Sequence, residues 1–288
     1  MLRIDIYGNP AQTSHIPDLC RFIAALAASG CRLRAEAEYL DFLRRTVPEA
    51  QNVAVISDSR DADLALSIGG DGTFLTTANR ITDSHPAIMG INAGHLGYLS
   101  AADIADTDPD LIIAQITEGR YVTELRTLIE VKSNSELLPA RPFALNEVAI
   151  LKQDTAQMIT VETSINGKTL AAFSGDGLLF STPTGSTGYN LSVGGPIVSP
   201  RSASWVISPI APHSLSMRPL VVPDDVTIDV TARSRAGNML LAIDGRSTPL
   251  PVGTSLRLVK APFCISVANF SGRHFIDTLR HKLYWAVR

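Results

Sequence analysis

The segment "ADLALSIGGDGTFLTTANRI" (residues 62–81) passes from an apolar run, through three glycines set around Asp71, into a stretch of helical character. An apolar run bounded by glycine reads as a strand buried on both faces, and "TFLTTANRI" predicts a helix opening directly behind the glycines. Upstream, "LRIDIYG" predicts a strand, and Leu19, Phe22, Ile23 and Leu26 recur at helical spacing within residues 17–29, ahead of Gly30. A second helix is predicted around 35–45, stopping before Pro48, with further short apolar runs at "NVAVIS" and "AIMGIN". Strands alternating with helices favour a parallel sheet covered on both faces, so residues 1–121 read as an open α/β domain. Ligands of such sheets sit outside the carboxyl ends of the strands.

From about residue 122 the rhythm changes to successive strand candidates: "ELRTLIEVK", "ALNEVAILK", "MITVETSI", "KTLAAF", "GLLFST", "VTIDVTA", "NMLLAID" and "SLRLVKA". Asn166-Gly167 between two of them is a strong hairpin signal, because both residues tolerate the positive φ of a tight turn. Residues 122–269 therefore read as a mostly antiparallel, layered β domain. Phe275, Leu279 and Leu283 restore helical spacing in the tail, and residues 270–288 are expected to pack back on the first domain.

The 288 residues are 45% hydrophobic and 18% charged with a net charge of −3, which describes a compact chain with no electrostatic footprint for nucleic acid or an anionic membrane. Cys20, Cys31 and Cys264 follow no disulfide or zinc pattern and read as free thiols in a reducing compartment. The opening "MLRIDIYGNP" lacks the apolar core of a signal peptide, and no run is long enough to cross a bilayer, so a cytoplasmic protein is expected.

Glycine lets backbone approach a ligand closely, and amides at a helix start form an anion site, so "GGDG" suits a polyphosphate. No Gly-Lys-Ser/Thr follows, and the GxGxxG fingerprint is not met. Asp71 among phosphates would repel them unless it takes a proton from an attacking hydroxyl, orients that hydroxyl or helps hold Mg²⁺. The alternative is a tight turn whose aspartate caps the helix. The stretch "SGDGLLFSTPTGSTGYNLSVGGPI" (174–197) gathers six glycines with Ser and Thr hydroxyls and Tyr189, either to hold a nucleotide or as an ordinary glycine-rich turn. Asn146 and Glu147 interrupt an apolar strand, and either face solvent or reach ribose hydroxyls.

In combination, "GGDGTFL", "GINAGHLGYL", "NEVAI", "DGLLFSTPTGSTGYNLSVGGPI", "PIAPHSLSMRP" and the Asp244-Gly245 pair resemble the NAD kinase family over most of the chain. The GGDGT element alone also resembles loops of lipid kinases and phosphofructokinases; the TPTGSTGYN and PHSLS blocks resemble NAD kinases in particular. The resemblance implies a Rossmann-like open α/β N-terminal domain, a mostly antiparallel β-sandwich C-terminal domain and an active site between them. It further implies a homodimer or homotetramer that transfers the γ-phosphoryl of ATP, with Mg²⁺ held mainly by the ATP phosphates, to the 2′-hydroxyl of the adenosine ribose of NAD.

On that resemblance Asp71 matches the catalytic aspartate, and Gly70, Gly72, Thr73 and Phe74 belong to the phosphate loop. Asn146 and Glu147 would contact NAD ribose or diphosphate, and Asp176 would lie near the nicotinamide. Thr187, Gly188, Tyr189, Asn190, Leu191 and Ser192 would surround the adenine half with Ala211, while Asp244 and Arg246 belong to a loop near the nucleotide. Gly188 stands where many bacterial relatives carry Ala, and Ser174 where many carry a basic residue. His95 and His213 read as hydrogen-bonded structural residues. The competing readings are a related kinase acting on a lipid or sugar hydroxyl and a non-catalytic NAD-binding sensor.

Overall fold

The computed structural model describes residues 1–288 except 82–85, 95–96, 155–156, 273 and 286–288, so His95 lies outside the described residues. The chain divides into two compact units, Met1–Leu125 with Ile265–Arg288, and Arg126–Cys264.

The first unit alternates β1 (Arg3–Gly8), α1 (Ile16–Ala28), β2 (Arg32–Ala35), α2 (Ala37–Thr46), β3 (Ala54–Val55), β4 (Leu64–Ile68), α3 (Asp71–Arg80), β5 (Ala87–Asn92), β6 (Ser100–Asp103) and α4 (Pro109–Thr117). Its strands pair in parallel in the order β5-β4-β1-β2-β3, with β6 also on β5. All five residues of β4 are buried, as a central parallel strand requires. Leu19, Phe22, Ile23 and Leu26 of α1 lie in the core with Ile4, Ile6, Leu66 and Met89. One charged pair is buried among them: Asp5 on β1 accepts from Arg34 Nε at 2.7 Å, and Arg34 reaches Asp61 at 2.6 Å. The strand expected at "NVAVIS" shrinks to two exposed residues at the sheet edge.

The second unit begins within β7 (Tyr121–Ser133) and continues through β8 (Phe143–Ala144), β9 (Glu147–Lys152), β10 (Ile159–Ile165), β11 (Lys168–Gly175), β12 (Gly177–Ser181), the single turn α5 (Tyr189–Ser192), β13 (Ser204–Ile210), β14 (Leu220–Pro223), β15 (Ile228–Arg233), β16 (Asn238–Ile243), β17 (Arg246–Pro251) and the first part of β18 (Leu256–Phe270). One antiparallel sheet runs β14-β13-β12-β9-β16-β17, and a second contains β11-β10-β15-β18. Trp205, Phe180, Ile150 and Leu241 from the first pack with Val161, Ile228 and Leu258 from the second, which makes a sandwich core. The predicted hairpin joins β10 to β11, with Asn166 at φ 50° and Gly167 at φ 76°, the positive values of a tight two-residue turn.

The end of β18 belongs to the first unit, where Val267 pairs with Ile88 of β5, and α6 (Phe275–Lys282) follows. Among the described residues no helix is long and apolar enough to cross a membrane.

Candidate active site

In the first unit the site starts where β4 ends. Gly69, at φ 148°, turns the chain so closely that a Cβ there would lie 2.4 Å from Thr73 Oγ1. Gly70 becomes the N-cap of α3 without a side-chain cap, and Asp71 is the first helical residue, so Asp71 is not the helix cap that one reading of the sequence allowed. Its carboxylate instead accepts the Tyr98 N–H at Oδ2 (2.9 Å) and the Leu99 N–H at Oδ1 (3.1 Å). Neither Gly70 nor Gly72 has anything within 4 Å of where a Cβ would stand, so space beside Asp71 stays open.

A cavity of about 390 Å³ lies in front of this loop, lined by Gly8 at the end of β1, by Asn9 and Gly70, and by Gly72, Thr73 and Arg80 of α3. It sits at the carboxyl ends of β1 and β4, where the strand order of the sheet reverses direction, the usual ligand position of open α/β sheets. Amides at the start of α3 and the positive end of its dipole favour phosphate there. Arg80 is ion-paired with Glu36. Phe74 is buried and packs rather than facing the cavity.

In the second unit, Asn146 precedes β9 and Glu147 begins it. Both residues are half-buried, but Asn146 Oδ1 and Glu147 Oε2 are buried without a hydrogen-bond partner, which does not fit a plain solvent face. Asp244, held at φ 47°, fixes the approach to β9 by accepting the N–H groups of Leu145, Asn146 and Glu147 at 2.8, 2.8 and 3.1 Å. Burial raises the Asp244 pKa, and the three N–H donors oppose that rise. Burial, with the nearby Asp244 charge added, pushes Glu147 up to about 7, against the Tyr189 N–H that favours its charged form.

The TPTGSTGYN segment folds onto this pair. A Cβ on Gly185 would stand 2.1 Å from Asn146 O, and one on Gly188 would stand 3.2 Å from both Asn146 Nδ2 and Glu147 Oε2. Ser186 and Asn190 hold the segment: Ser186 Oγ accepts the Val198 N–H at 3.0 Å, and Asn190 Nδ2 donates to Pro196 O at 3.0 Å. Asn190 Oδ1 accepts the Ser208 hydroxyl at 2.7 Å, so the fully buried Asn190 amide is engaged inside the protein. Tyr189 and Ser192 are exposed, Thr187 and Leu191 half-buried. Arg246 is exposed at the start of β17 and donates to Phe143 O at 3.4 Å.

Asp176 lies at the junction of β11 and β12, its N–H bound to Ile210 O at 2.9 Å, and the Ala211 carbonyl crowds Gly175 beside it. Ala211 adopts φ 43°, a conformation that L-residues rarely hold outside constrained sites. The cation absent at position 174 comes from elsewhere: Lys152 Nζ pairs with Asp176 Oδ1 at 2.5 Å, while Ser174 meets the Thr160 hydroxyl at 2.9 Å. Lys152 gives no local sequence signal, because it is brought to Asp176 by the β9–β12 pairing. Glu147 and Lys152 mark the two ends of β9, about 17 Å apart at the rise of an extended strand. A wider groove of about 450 Å³ over β10, β11 and β15 carries none of the predicted site residues. Among the described residues no three His, Cys, Asp or Glu side chains group to hold a metal.

An open, glycine-lined cradle at a helix start, with a fixed carboxylate beside it, is the equipment of a kinase that phosphorylates a hydroxyl group. Known proteins narrow that class. The ATP-NAD kinase N-terminal domain matches residues 29–121 and the ATP-NAD kinase C-terminal domain residues 145–269. An NAD kinase of Porphyromonas gingivalis is 39% identical over 287 residues, spanning 99% of this chain and 98% of its own. One from Flavobacterium psychrophilum is 36% identical over 290 residues, again spanning 99% and 98%. Among solved structures, yeast NADH kinase complexed with NADH shares the fold with a TM-score of 0.86 at 22% identity, over 100% of this chain and 89% of that one. An NAD kinase from Archaeoglobus fulgidus in complex with ATP gives 0.75 at 23% identity, over 98% and 99%. The chain belongs to the ATP-NAD kinase family, the enzymes that phosphorylate NAD with ATP.

Proposed function

We propose that this enzyme transfers the γ-phosphoryl group of ATP to the 2′-hydroxyl of the adenosine ribose of NAD, giving NADP, with Asp71 as the catalytic carboxylate. The observation that carries this reading is Asp71 itself: both its oxygens are fixed by backbone N–H groups, and Gly70 and Gly72 leave the space beside it open. In the reaction a bond forms between the 2′ oxygen and the γ phosphorus, the bond from that phosphorus to the bridging oxygen breaks, and ADP leaves. Asp71 orients the hydroxyl and accepts its proton.

Gly70, Gly72 and Thr73 shape the phosphate side of the loop, with Phe74 as its buried anchor. Asn146 and Glu147 offer their unpartnered polar atoms to the ribose or diphosphate of NAD, and Asp244, with Arg246, holds the strand start that carries them. Thr187, Gly188, Tyr189, Leu191 and Ser192 form the adenine side, which Asn190 positions from below. Asp176, with Lys152, serves the nicotinamide side, and Ala211 lines the pocket next to it. Mg²⁺, held mainly by the phosphates of ATP rather than by side chains, would supply charge neutralisation of those phosphates. The domains we assign are 1–121 with 270–288, and 122–269, and the enzyme works in the cytoplasm as a homodimer or homotetramer, the latter checked by analytical ultracentrifugation.

The test is NADP formation from NAD, ATP and Mg²⁺ by wild type and Asp71→Asn. Loss of a general base typically costs about 10²–10⁴-fold, so the variant is expected to bind NAD by calorimetry while losing at least about 10²-fold in kcat. A wild type that binds NAD and makes no NADP points to a sensor, and an Asp71→Asn enzyme of undiminished rate removes the role of the carboxylate.

A further inference from the structure

Gly97 precedes the two residues whose N–H groups meet the Asp71 carboxylate. What it lacks is a Cβ, and one placed there would stand 1.8 Å from Asp71 Oδ1 and 2.5 Å from Asp71 Cγ. The next two residues supply the donors: the Tyr98 N–H binds Oδ2 at 2.9 Å and the Leu99 N–H binds Oδ1 at 3.1 Å. Leu99 is itself fixed, because its carbonyl lies where a Cβ on Gly90 would be only 2.3 Å away, and Gly90 of β5 pairs with Ser100 of β6. The turn is thus tied to the central sheet, as α3 is at its other end through β4.

We infer that Gly97–Leu99 is the positioning element for the catalytic carboxylate, an inference that rests on the role proposed above for Asp71. Each carboxylate oxygen has about two acceptor sites. One site on each is taken by an N–H, which locks the rotamer and leaves the remaining sites for a substrate hydroxyl and its proton. An alanine at 97 can be accommodated only if the carboxylate swings away, which breaks both hydrogen bonds at once and leaves two N–H donors without an acceptor. Tyr98 and Leu99 act through backbone, so their side chains can change without loss of this contact, whereas position 97 cannot gain an atom without displacing the carboxylate.

The experiment is a double-mutant cycle of Gly97→Ala and Asp71→Ala, read by kcat, by KM for NAD and by Tm. Misplacing a reacting group by about 1 Å costs on the order of 10²-fold. Gly97→Ala is therefore expected to lower kcat about that much while KM for NAD moves only a few-fold, and to lower Tm. In the Asp71→Ala background the same substitution is expected to change neither the residual rate nor Tm, because the atom it collides with is gone. A Gly97→Ala enzyme with the wild-type kcat overturns the inference, and so does a loss of rate and Tm that is as large without the Asp71 carboxylate as with it. If Asp71→Ala keeps full activity, the catalytic reading of Asp71 has failed; a surviving Tm coupling would then assign the contact to stability alone and overturn the positioning role separately.

Discussion

Glu147 offers a test of the second unit that needs no substrate. It is pushed up to about 7, first by burial and then by the carboxylate of Asp244, which follows β16 and accepts N–H groups at the start of β9. An acid whose folded pKa lies above its unfolded value binds more protons in the native state, so its contribution to stability is present below the unfolded pKa, near 4.5, and is lost as pH rises through about 7. At about 1.4 kcal/mol per pKa unit, the difference integrated from pH 5 to pH 8 is about 2–3 kcal/mol for this one group. Glu147→Gln keeps the shape and removes the titration. Urea unfolding of both proteins at pH 5 and pH 8 isolates the effect, because all other titrating groups are shared. The wild type is expected to lose about 2–3 kcal/mol relative to the variant between the two pH values, so that the variant is the more stable protein at pH 8. A stability difference between the two proteins that stays constant across that range refutes the reasoning, and would mean that the Tyr189 N–H donor to Glu147 offsets both burial and the Asp244 charge.

Two further outcomes follow from packing. Arg34→Met leaves the fully buried Asp5 without its cation and should cost about 3–5 kcal/mol by urea unfolding, the usual result of breaking one half of a buried ion pair; a change below about 1 kcal/mol would show that Asp5 is content as a neutral acid. Asn190→Ala strips the hydrogen bonds to Ser208 and Pro196 from the buried core of the TPTGSTGYN turn, at about 1–3 kcal/mol for each group left unpaired, and should raise KM for NAD with a smaller change in kcat. An unaltered KM in a folded Asn190→Ala protein would remove its proposed positioning role.

What could be read in the sequence was local. The β4–glycine–α3 passage and the Asn166-Gly167 hairpin carry their geometry in a few adjacent residues, and both form as expected. Of the strands that escaped notice, several carry proline or lie at edges, while β2, between β1 and β3, is only four residues long. Pro209 argues against "SWVISPI" as a strand, yet β14 pairs with β13 only from Ser204 to Ile207, so Pro209 has no neighbour on that side to deprive of a hydrogen bond. The two prolines of β17 stand on the last strand of their sheet. Helix α4 carries a start signal, Pro109 in its first turn and Asp108 accepting the Asp110 N–H, although no helix was expected there from the sequence.

The site shows the same division. Asp71, Gly70 and Gly72 were legible from chemistry, but the donors that hold Asp71 are main-chain groups 27 and 28 residues away, and a backbone N–H leaves no mark in a sequence. Lys152 escaped for a related reason, since only strand register brings it to Asp176. Asn146 and Glu147 could be noticed as polar residues in an apolar run, while the burial of their Oδ1 and Oε2 atoms could only be seen.

The order in which the two units are completed differs from the order in which they begin. On a ribosome the first unit emerges early, with β1 to β6 already in hand, but the strand segment that pairs Val267 with Ile88 and the helix that follows are translated only after the whole of Arg126–Cys264. Until then the outer edge of β5 beside Ile88 has no partner, and an unpaired strand edge is an invitation to other nascent chains. The second unit, continuous in sequence, can close as soon as it has left the exit tunnel. The piece of the molecule that begins last is thus free to finish first, and truncation near the C-terminus would injure the part of the protein that was made at the start.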